Sequence, residues 1–301
     1  MNKAATLSAA ALLERLALAH EVPYRAGSPP PAQQLRTPDG LMLSLIDWGG
    51  PGTPVLFLHG GSLTAHTWDL VCLGLGDRFR RLAVDLRGHG ESAWAENYEI
   101  DTHLTDLSAV ITHLRLRSVH LVGMSLGAVI AAHYAASGDA RIASLTMVDT
   151  GPRPDFEATA GMRAFIAQPI DHLSLEQLTA AAVKQAAKGD YDTILYRYMH
   201  MTRRQTPDGR LAWRHDPRRR RPSDYAHILA KIEELEALAP AMRCKVLIAR
   251  GADSRIITDE KVAAFAARFR DARWVTIPEA GHNVQEDNPV ALVVALRGFL
   301  S

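Results

Sequence analysis

The chain has few of the residues that mark a disulfide scaffold, a zinc site or a membrane protein. Only two of its 301 residues are cysteines, Cys72 and Cys244, and neither lies in a CxxC or Cys/His pattern. This scarcity argues against a disulfide framework and a zinc site, and it suits a reducing cytoplasm. No apolar run approaches the roughly 20 residues that a membrane-spanning helix needs. We therefore expect a cytoplasmic protein with no membrane span and no bound metal.

The sequence also lacks an excess of charge of either sign. Its 34 Lys and Arg residues nearly cancel its 33 Asp and Glu residues, so the formal net charge is +1. Proteins that attract nucleic acid or acidic membranes usually carry a strong basic excess. The run Arg218–Arg221 is typical of a solvated surface, with attraction of an anionic substrate or partner as the alternative. We predict a small-molecule partner and no nucleic acid.

An N-terminal region, residues 1–37, precedes the expected core of the fold. Apolar residues such as Leu12 and Leu16 recur at helical spacing, which predicts an amphipathic helix packed on the body of the protein or on a partner. The charged residues Glu14 and Arg15 interrupt the apolar run, which argues against a secretory signal. Four prolines within residues 26–39 predict an irregular connector, so we expect the fold proper to begin near residue 40.

Short apolar strands then alternate with amphipathic helices. Val55–Leu58 is an uninterrupted apolar run and Val119–Val122 is apolar except for His120, which is typical of strands buried on both faces. The alternation predicts an α/β fold with a mostly parallel central sheet and helices on both faces. Helical patterns and polar loops interrupt it in the second half of the chain. We predict a core of residues 38–151 and 241–301 with a helical lid over residues 152–240.

One serine lies where such a fold exposes a nucleophile. The segment Gly123-Met124-Ser125-Leu126-Gly127 follows an apolar strand and precedes a helical pattern. Glycines on both sides of Ser125 permit a sharp strand-to-helix turn that exposes the hydroxyl to a base and a substrate. The start of the helix also directs free amides toward developing negative charge. The pattern therefore predicts Ser125 as a nucleophile.

A second glycine-bearing loop, His59-Gly60-Gly61-Ser62, follows the apolar strand that ends at residue 58. Acyl transfer develops negative charge on the former carbonyl oxygen, and backbone amides can stabilise that charge. We assign the amides of Gly61 and Leu126 to this oxyanion hole. A simple turn is the alternative interpretation of the HGGS segment.

A serine nucleophile needs a base, and His282 has the best position among the 13 histidines. It follows an expected strand in the loop EAGHN, and a neutral imidazole can accept the serine proton. Two aspartates compete for the acid that orients it. Asp253 follows the strand VLIAR and precedes the histidine, so we prefer it; Asp149, which ends the strand LTMVD, is the alternative.

Four residues beside these motifs are candidates for the substrate pocket. They are Ser62, Trp68, Met124 and Asn283. Trp68 follows the oxyanion loop, although an aromatic side chain at such a position is equally typical of a core. The chemistry needs no cofactor and no metal, so we expect neither.

Five segments together resemble the α/β-hydrolase superfamily over about residues 41–300. They are LFLHGGS at 56–62, VDLRGHGES at 84–92, LVGMSLGA at 121–128, IARGADS at 248–254 and GHN at 281–283. The resemblance implies a triad of Ser125, Asp253 and His282, and it implies that the insertion at 152–240 corresponds to the lid of that family.

The same segments narrow the expected reaction. Ser125 stands where the similar haloalkane dehalogenases and epoxide hydrolases carry an aspartate, and Asn283 stands where meta-cleavage carbon–carbon hydrolases commonly carry a tryptophan. We expect hydrolysis of a small carboxylic ester or lactone through an acyl-enzyme, by a monomer or a homodimer. A carbon–carbon or other acyl hydrolase is the alternative enzyme. A ligand receptor built on a hydrolase scaffold is the alternative of another class.

Overall fold

The computed structural model describes residues 7–155, 157–186, 188–204, 210–220 and 222–301. The strands are β1 (Gln33–Arg36), β2 (Met42–Asp47), β3 (Pro54–Leu58), β4 (Arg80–Val84), β5 (Val119–Met124), β6 (Ile142–Val148), β7 (Thr202–Arg204), β8 (Leu211–Trp213), β9 (Lys245–Gly251) and β10 (Ala272–Ile277). The helices are α1 (Ala9–Ala19), α2 (Asp69–Leu75), α3 (Ile100–His113), α4 (Leu126–Ala136), α5 (Ala160–Ala167), α6 (Leu175–Gln185), α7 (Tyr191–Met201), α8 (Pro222–Leu238), α9 (Asp259–Ala266), α10 (Val284–Asp287) and α11 (Pro289–Leu300). Short 3-10 helices at Ala65–Trp68 and Pro217–Arg220 contribute to the site described below.

The central sheet has eight strands in the order β1-β2-β4-β3-β5-β6-β9-β10. The pairs β1–β2 and β2–β4 are antiparallel, and the other neighbours are parallel. All six residues of β5 are buried. Strands covered on both faces carry continuous apolar runs, which explains why the sequence indicated the inner strands clearly. The predicted mostly parallel α/β sheet is confirmed.

Helices on both faces of the sheet produce two hydrophobic cores. In β3, Leu56 and Leu58 face a core that contains residues of α3, α4 and α9, whereas Val55 and Phe57 face one that contains residues of α2 and α11. Successive side chains of a strand point to opposite faces, so a single apolar strand can supply both cores. The two covered faces leave the carboxyl ends of the parallel strands as the edge at which functional loops gather.

The proline-rich connector contains a strand that the sequence pattern did not indicate. Strand β1 pairs antiparallel with β2 at one edge of the sheet, where Gln33 lies opposite Leu45. Only Leu35 of its four residues is buried. An edge strand needs no continuous apolar run, so the pattern that identified the inner strands is missing here. The fold therefore begins before residue 40, and that expected boundary is wrong.

The N-terminal helix packs on the body of the protein, which is one of the two settings expected for it. The side chain of Ser8 caps α1 by accepting a hydrogen bond from the amide of Ala11 at 3.2 Å. Leu12, Leu13 and Leu16 are buried in a cluster with residues of α2 and α7. The helical spacing of these leucines places them on one face of α1. The helix packs on the body of the protein through this apolar face, whose spacing predicted the helix.

The chain between β6 and β9 forms helices α5 to α8 and a small hairpin. We call residues 152–240 the cap segment. In the hairpin, β7 and β8 pair antiparallel with Thr202 opposite Trp213. The helices agree with the helical pattern expected for this segment, and the hairpin is an addition to it. Within the ranges given above, no helix is both long and apolar enough to cross a membrane.

Candidate active site

Ser125 lies in a tight turn between β5 and α4. Its backbone has φ 50° and ψ −117°, a conformation that residues with a Cβ atom rarely adopt outside functional sites. A Cβ atom on Gly123 would lie 2.3 Å from the carbonyl oxygen of Gly127, and one on Gly127 would lie 2.2 Å from that of Leu58. Only glycine allows these close approaches, which bring α4 against β3 and β5 and leave Ser125 at the start of the helix.

Ser125 lines a cavity of about 190 Å³ at the carboxyl ends of the strands. The cap segment supplies much of the wall, including the apolar side chains of Met162, Ile166 and Ile232. Several residues predicted from the sequence also line the cavity, namely Gly61, Ser62, Met124, Leu126, His282 and Asn283. The structure thus brings together residues from loops after β3, β5 and β10, as expected for loops at this edge of a parallel sheet.

Trp68 does not belong to this cavity, and its expected place in the substrate pocket is wrong. The side chain is fully buried, and its ring centroid lies 5.0 Å from that of Phe57. The short helix Ala65–Trp68 directs the indole into the core shared with α2 and α11. The core alternative therefore describes this residue, because burial of such a large apolar surface stabilises the fold.

His282 pairs with Asp149 and not with Asp253. The Nδ1 atom of His282 lies 2.7 Å from Oδ2 of Asp149, whose side chain is fully buried. The same carboxylate accepts hydrogen bonds from the Gly251 amide at 3.0 Å and from the Ser254 hydroxyl at 2.5 Å. Three donors compensate for the burial of the carboxylate. The preference for Asp253 as the partner of His282 is thus wrong, and the alternative aspartate makes the contact.

The course of the chain after β9 explains why Asp253 is elsewhere. Its amide donates to the carbonyl of Ala280 at 2.8 Å, and its side chain is half-exposed. There it forms an ion pair with Lys188 of the cap segment, with 2.9 Å between Nζ and Oδ2. Ser254, the next residue, is the one that reaches Asp149. Order along the chain does not reveal which of two adjacent side chains turns inward.

The loop that carries Gly61 is held by the loop after β4. Nδ1 of His59 donates to the carbonyl of Gly60 at 2.7 Å, and Nε2 accepts from the amide of Leu86 at 3.0 Å. Burial lowers the pKa of His59 to about 3, so the ring stays neutral and keeps one nitrogen as an acceptor. Asp85 accepts a further hydrogen bond from the amide of Ala65 at 2.7 Å. Gly61 is therefore part of a loop that is braced on both sides.

A buried ion pair behind His282 was not evident from the sequence. Arg197 of α7 donates from Nε to Oε2 of Glu286 in α10 at 2.6 Å, and Glu286 also accepts from the hydroxyl of Thr67 at 2.5 Å. Arg197 lines the cavity. The pair connects the cap segment to the short helix that directly follows the histidine loop. Its members are 89 residues apart in the chain, so no local pattern could reveal them.

Comparison with known proteins identifies the family. The family model described as the alpha/beta hydrolase family matches residues 55–296, a range that contains Ser125, Asp149 and His282. The chain belongs to the alpha/beta hydrolase family, and it is a hydrolase. The resemblance expected from the five sequence segments is confirmed.

The chain is similar to several hydrolases over most of its length. Esterase Rv0045c of Mycobacterium tuberculosis is 33% identical over 297 residues, which cover 96% of this chain and 96% of that one. A solved structure of that esterase has a TM-score of 0.79 at 31% identity and covers 98% of this chain and 99% of that one. The 2-(acetamidomethylene)succinate hydrolase of Mesorhizobium japonicum is 28% identical over 263 residues, or 83% of this chain and 89% of that one.

Proposed function

We propose that the chain hydrolyses a small carboxylic ester or lactone, with Ser125 as the nucleophile. The contact between the buried Asp149 and His282, which lines the same cavity as Ser125, carries this proposal. A serine hydroxyl becomes an effective nucleophile only when a neighbouring base removes its proton. Similarity to an esterase over 96% of both chains supports an ester as the class of substrate.

In the first step, the oxygen of Ser125 attacks the carbonyl carbon while Nε2 of His282 takes the hydroxyl proton. Asp149 accepts the hydrogen bond from Nδ1, so Nε2 is the nitrogen left to act as the base. The buried carboxylate also stabilises the imidazolium that forms. Negative charge develops on the carbonyl oxygen, and the amides of Gly61 and Leu126 donate hydrogen bonds to it. Leu126 begins α4, so the helix dipole adds to this stabilisation.

In the second step, the imidazolium of His282 donates its proton to the leaving oxygen, the carbon–oxygen bond breaks and an acyl-enzyme remains. Water then attacks the acyl carbon as His282 takes one of its protons, and the bond to Ser125 breaks as the proton returns to the serine. An ester yields an acid and an alcohol, whereas a lactone yields one hydroxy acid. Ser62, Met124 and Asn283 line the same cavity and are the proposed contacts to the substrate.

Replacement of the nucleophile tests this function. We expect Ser125→Ala to reduce hydrolysis of a short-chain p-nitrophenyl ester by at least about 10³-fold with the fold intact, because the proposed acyl-enzyme forms on the hydroxyl that this change removes. Ser137→Ala, at the opposite end of α4, is the matched control and should keep full activity. A fluorophosphonate probe should label the wild type at Ser125. Retained turnover in Ser125→Ala, or no labelling of the folded wild type, would contradict the proposal.

A further inference from the structure

One histidine of the loop after β4 contacts both the oxyanion loop and the cap segment. His89 is fully buried, its Nδ1 donates to the carbonyl of Arg87 at 3.1 Å, and its Nε2 accepts from the amide of Ser62 at 3.0 Å. The guanidinium of Arg219 directs a second N–H to the same Nε2. Because an amide and a guanidinium can only donate, Nε2 must carry its lone pair, which the two N–H groups share, and the imidazole is neutral with a defined tautomer.

The environment of His89 keeps this nitrogen an acceptor. Burial, followed by the charge of Arg219, holds the pKa of His89 well below its usual range. The three other histidines around it are His59, His103 and His215, and they also lower this pKa. The ring is therefore available to Ser62 as an acceptor in neutral solution.

Ser62 depends on the hydrogen bond from its amide to His89 because its backbone conformation is unfavourable. Its φ of 68° lies in the left-handed region, which is unfavourable for a residue with a Cβ atom. The amide of Ser62 and the carbonyl of Gly61 share one planar peptide, so the direction of that amide restricts the conformation of Gly61. A Cβ atom on Gly61 would have no neighbour within 4 Å, so no packing restrains this residue on the side where a side chain would lie. The hydrogen bond from the Ser62 amide to His89 therefore restrains the orientation of the proposed oxyanion donor.

The other partner of His89 belongs to a part of the cap segment that docks on the same loop. The amide of Asp216 donates to the carbonyl of Gly88 at 2.8 Å, and its carboxylate accepts from the hydroxyl of Tyr98 at 2.5 Å. The guanidinium carbon of Arg219 lies 5.5 Å from the ring centroid of Tyr98. Arg219 also lines the cavity. The arginine run is thus partly a docking element; Arg221 lies outside the described residues.

We propose that His89 is a positioning residue for the Gly61 amide and that Arg219 links the seating of the cap segment to it. The inference rests on the proposed acyl transfer at Ser125. With the cap segment seated, Arg219 donates to Nε2 and fixes the ring, the same Nε2 accepts from the amide of Ser62, and Gly61 keeps the orientation that stabilises the oxyanion. Enclosure of the substrate and completion of the oxyanion hole are then linked, which favours the transition state over the bound substrate.

Two substitutions of the histidine separate positioning from simple packing. His89→Phe fills a similar volume but accepts no hydrogen bond, whereas His89→Gln can place an oxygen near the position of Nε2. Complete removal of an oxyanion donor typically lowers kcat by about 10²–10³-fold, so a misplaced donor should lower kcat by about 10–100-fold with KM within about threefold. We expect this loss in His89→Phe and recovery of most of kcat in His89→Gln.

A transition-state analogue and a matched control complete the experiment. An aryl boronic acid forms a tetrahedral adduct with a reactive serine, and its inhibition should weaken in proportion to the loss of kcat in His89→Phe. His120→Phe also replaces a buried histidine, one that contacts Ser144 in the sheet, and should leave kcat unchanged. A folded His89→Phe protein with unchanged kcat, or with a change in KM alone, would overturn the inference.

The link to the cap segment is tested by Arg219→Met in two backgrounds. We expect kcat to fall about 3–10-fold in the wild-type background and to change little in the His89→Phe background, because the arginine acts through the histidine. Additive losses would contradict the link. If His89→Phe does not fold, Arg219→Met and His89→Gln are compared instead. A lower kcat without a rise in KM in Arg219→Met, with most of kcat kept in His89→Gln, would support the inference, and an unchanged kcat in Arg219→Met would overturn it. Absence of ester turnover in the wild type contradicts the proposed function instead, so the two failures are distinguishable.

Discussion

At the scale of single residues, Asp149 and Asp253 show how different two strand-end aspartates can be. Asp149 is fully buried and accepts three hydrogen bonds, whereas Asp253 is half-exposed and pairs with Lys188. An ion pair at such exposure contributes little to stability. A buried and fully bonded carboxylate can fix the tautomer of His282, and a solvated carboxylate elsewhere cannot.

Asparagine substitutions at the two positions should have very different effects. Loss of a triad aspartate lowers kcat about 10⁴-fold in serine proteases because the histidine adopts the wrong tautomer, so we expect Asp149→Asn to lower kcat by about 10³–10⁴-fold. Asp253→Asn should keep kcat within about twofold, since it removes only an exposed ion pair. Steady-state kinetics on one aryl ester measure both. Equal losses in the two variants would contradict this assignment.

At the scale of elements, the approach of α4 to β3 determines the position of Ser125, the proposed nucleophile. The residue facing β3 at the start of α4 is Gly127, where a Cβ atom would lie 2.2 Å from a backbone oxygen of Leu58. Backbone atoms of a central strand cannot move aside as a flexible side chain can. The turn at Ser125 and the packing of the helix therefore depend on the same glycine.

Two glycine-to-alanine substitutions in helices test this dependence with opposite expected signs. Gly127→Ala should lower the free energy of unfolding by about 1–3 kcal/mol through overpacking, and it should also lower kcat. Gly298 lies on the exposed side of α11, where a Cβ atom has no neighbour within 4 Å. Gly298→Ala should raise the free energy of unfolding by about 0.5–1 kcal/mol. Urea denaturation measures both, and a stabilised Gly127→Ala protein would refute the packing argument.

At the scale of the whole molecule, contacts between the cap segment and the rest of the chain are polar at several places. Lys188 pairs with Asp253 at the surface, and Arg197 pairs with the buried Glu286. A third contact, between Asp216 and Tyr98, fastens the loop after β4. Desolvation makes buried pairs sensitive to the loss of either partner, whereas exposed pairs are not. The free energy of unfolding should therefore be particularly sensitive to the loss of charged residues in and around α10.

The pH dependence of the free energy of unfolding should reflect the titration of Asp287 in α10. Burial raises the pKa of its carboxyl to about 6, while the Gly281 amide donates to it at 2.9 Å. Unfolded aspartate titrates near roughly 3.9, so between about pH 4 and 6 the native state binds more protons than the unfolded state. The stability that this group contributes is present below that window and is lost as the pH rises through it.

Neutralisation of Asp287 should remove this loss. We expect the stability advantage of Asp287→Asn over the wild type to grow between about pH 4 and 6, and to reach on the order of 1–3 kcal/mol at about pH 8. Thermal and urea unfolding across this range measure the difference. Asp271→Asn, at an exposed position, is the control and should show no such trend. A constant difference between Asp287→Asn and the wild type would contradict the assignment.

Local patterns in the sequence determined the inner strands, the glycine-flanked serine, the HGGS loop and the late histidine. Each of these depends on neighbours in the chain: a continuous apolar run in β3, a mostly apolar one in β5, or glycines at positions that allow no Cβ atom. Such local requirements leave a visible signature because a substitution would break the element itself. Edge strand β1, with a single buried residue, has no such signature and was missed.

Only the tertiary structure decided which aspartate meets His282, that Trp68 lies in the core, and that Arg219 reaches His89. Each of these facts depends on the direction in which a side chain leaves the backbone. The contacts also join distant residues: Asp149 lies 133 residues from His282, and Arg219 lies 130 residues from His89. A shift of one position in the loop after β9 turns an inward side chain outward, and it does not alter the residue pattern of the strand. Local sequence therefore identified the candidate serine and histidine, whereas packing between distant segments sets the partners that orient them.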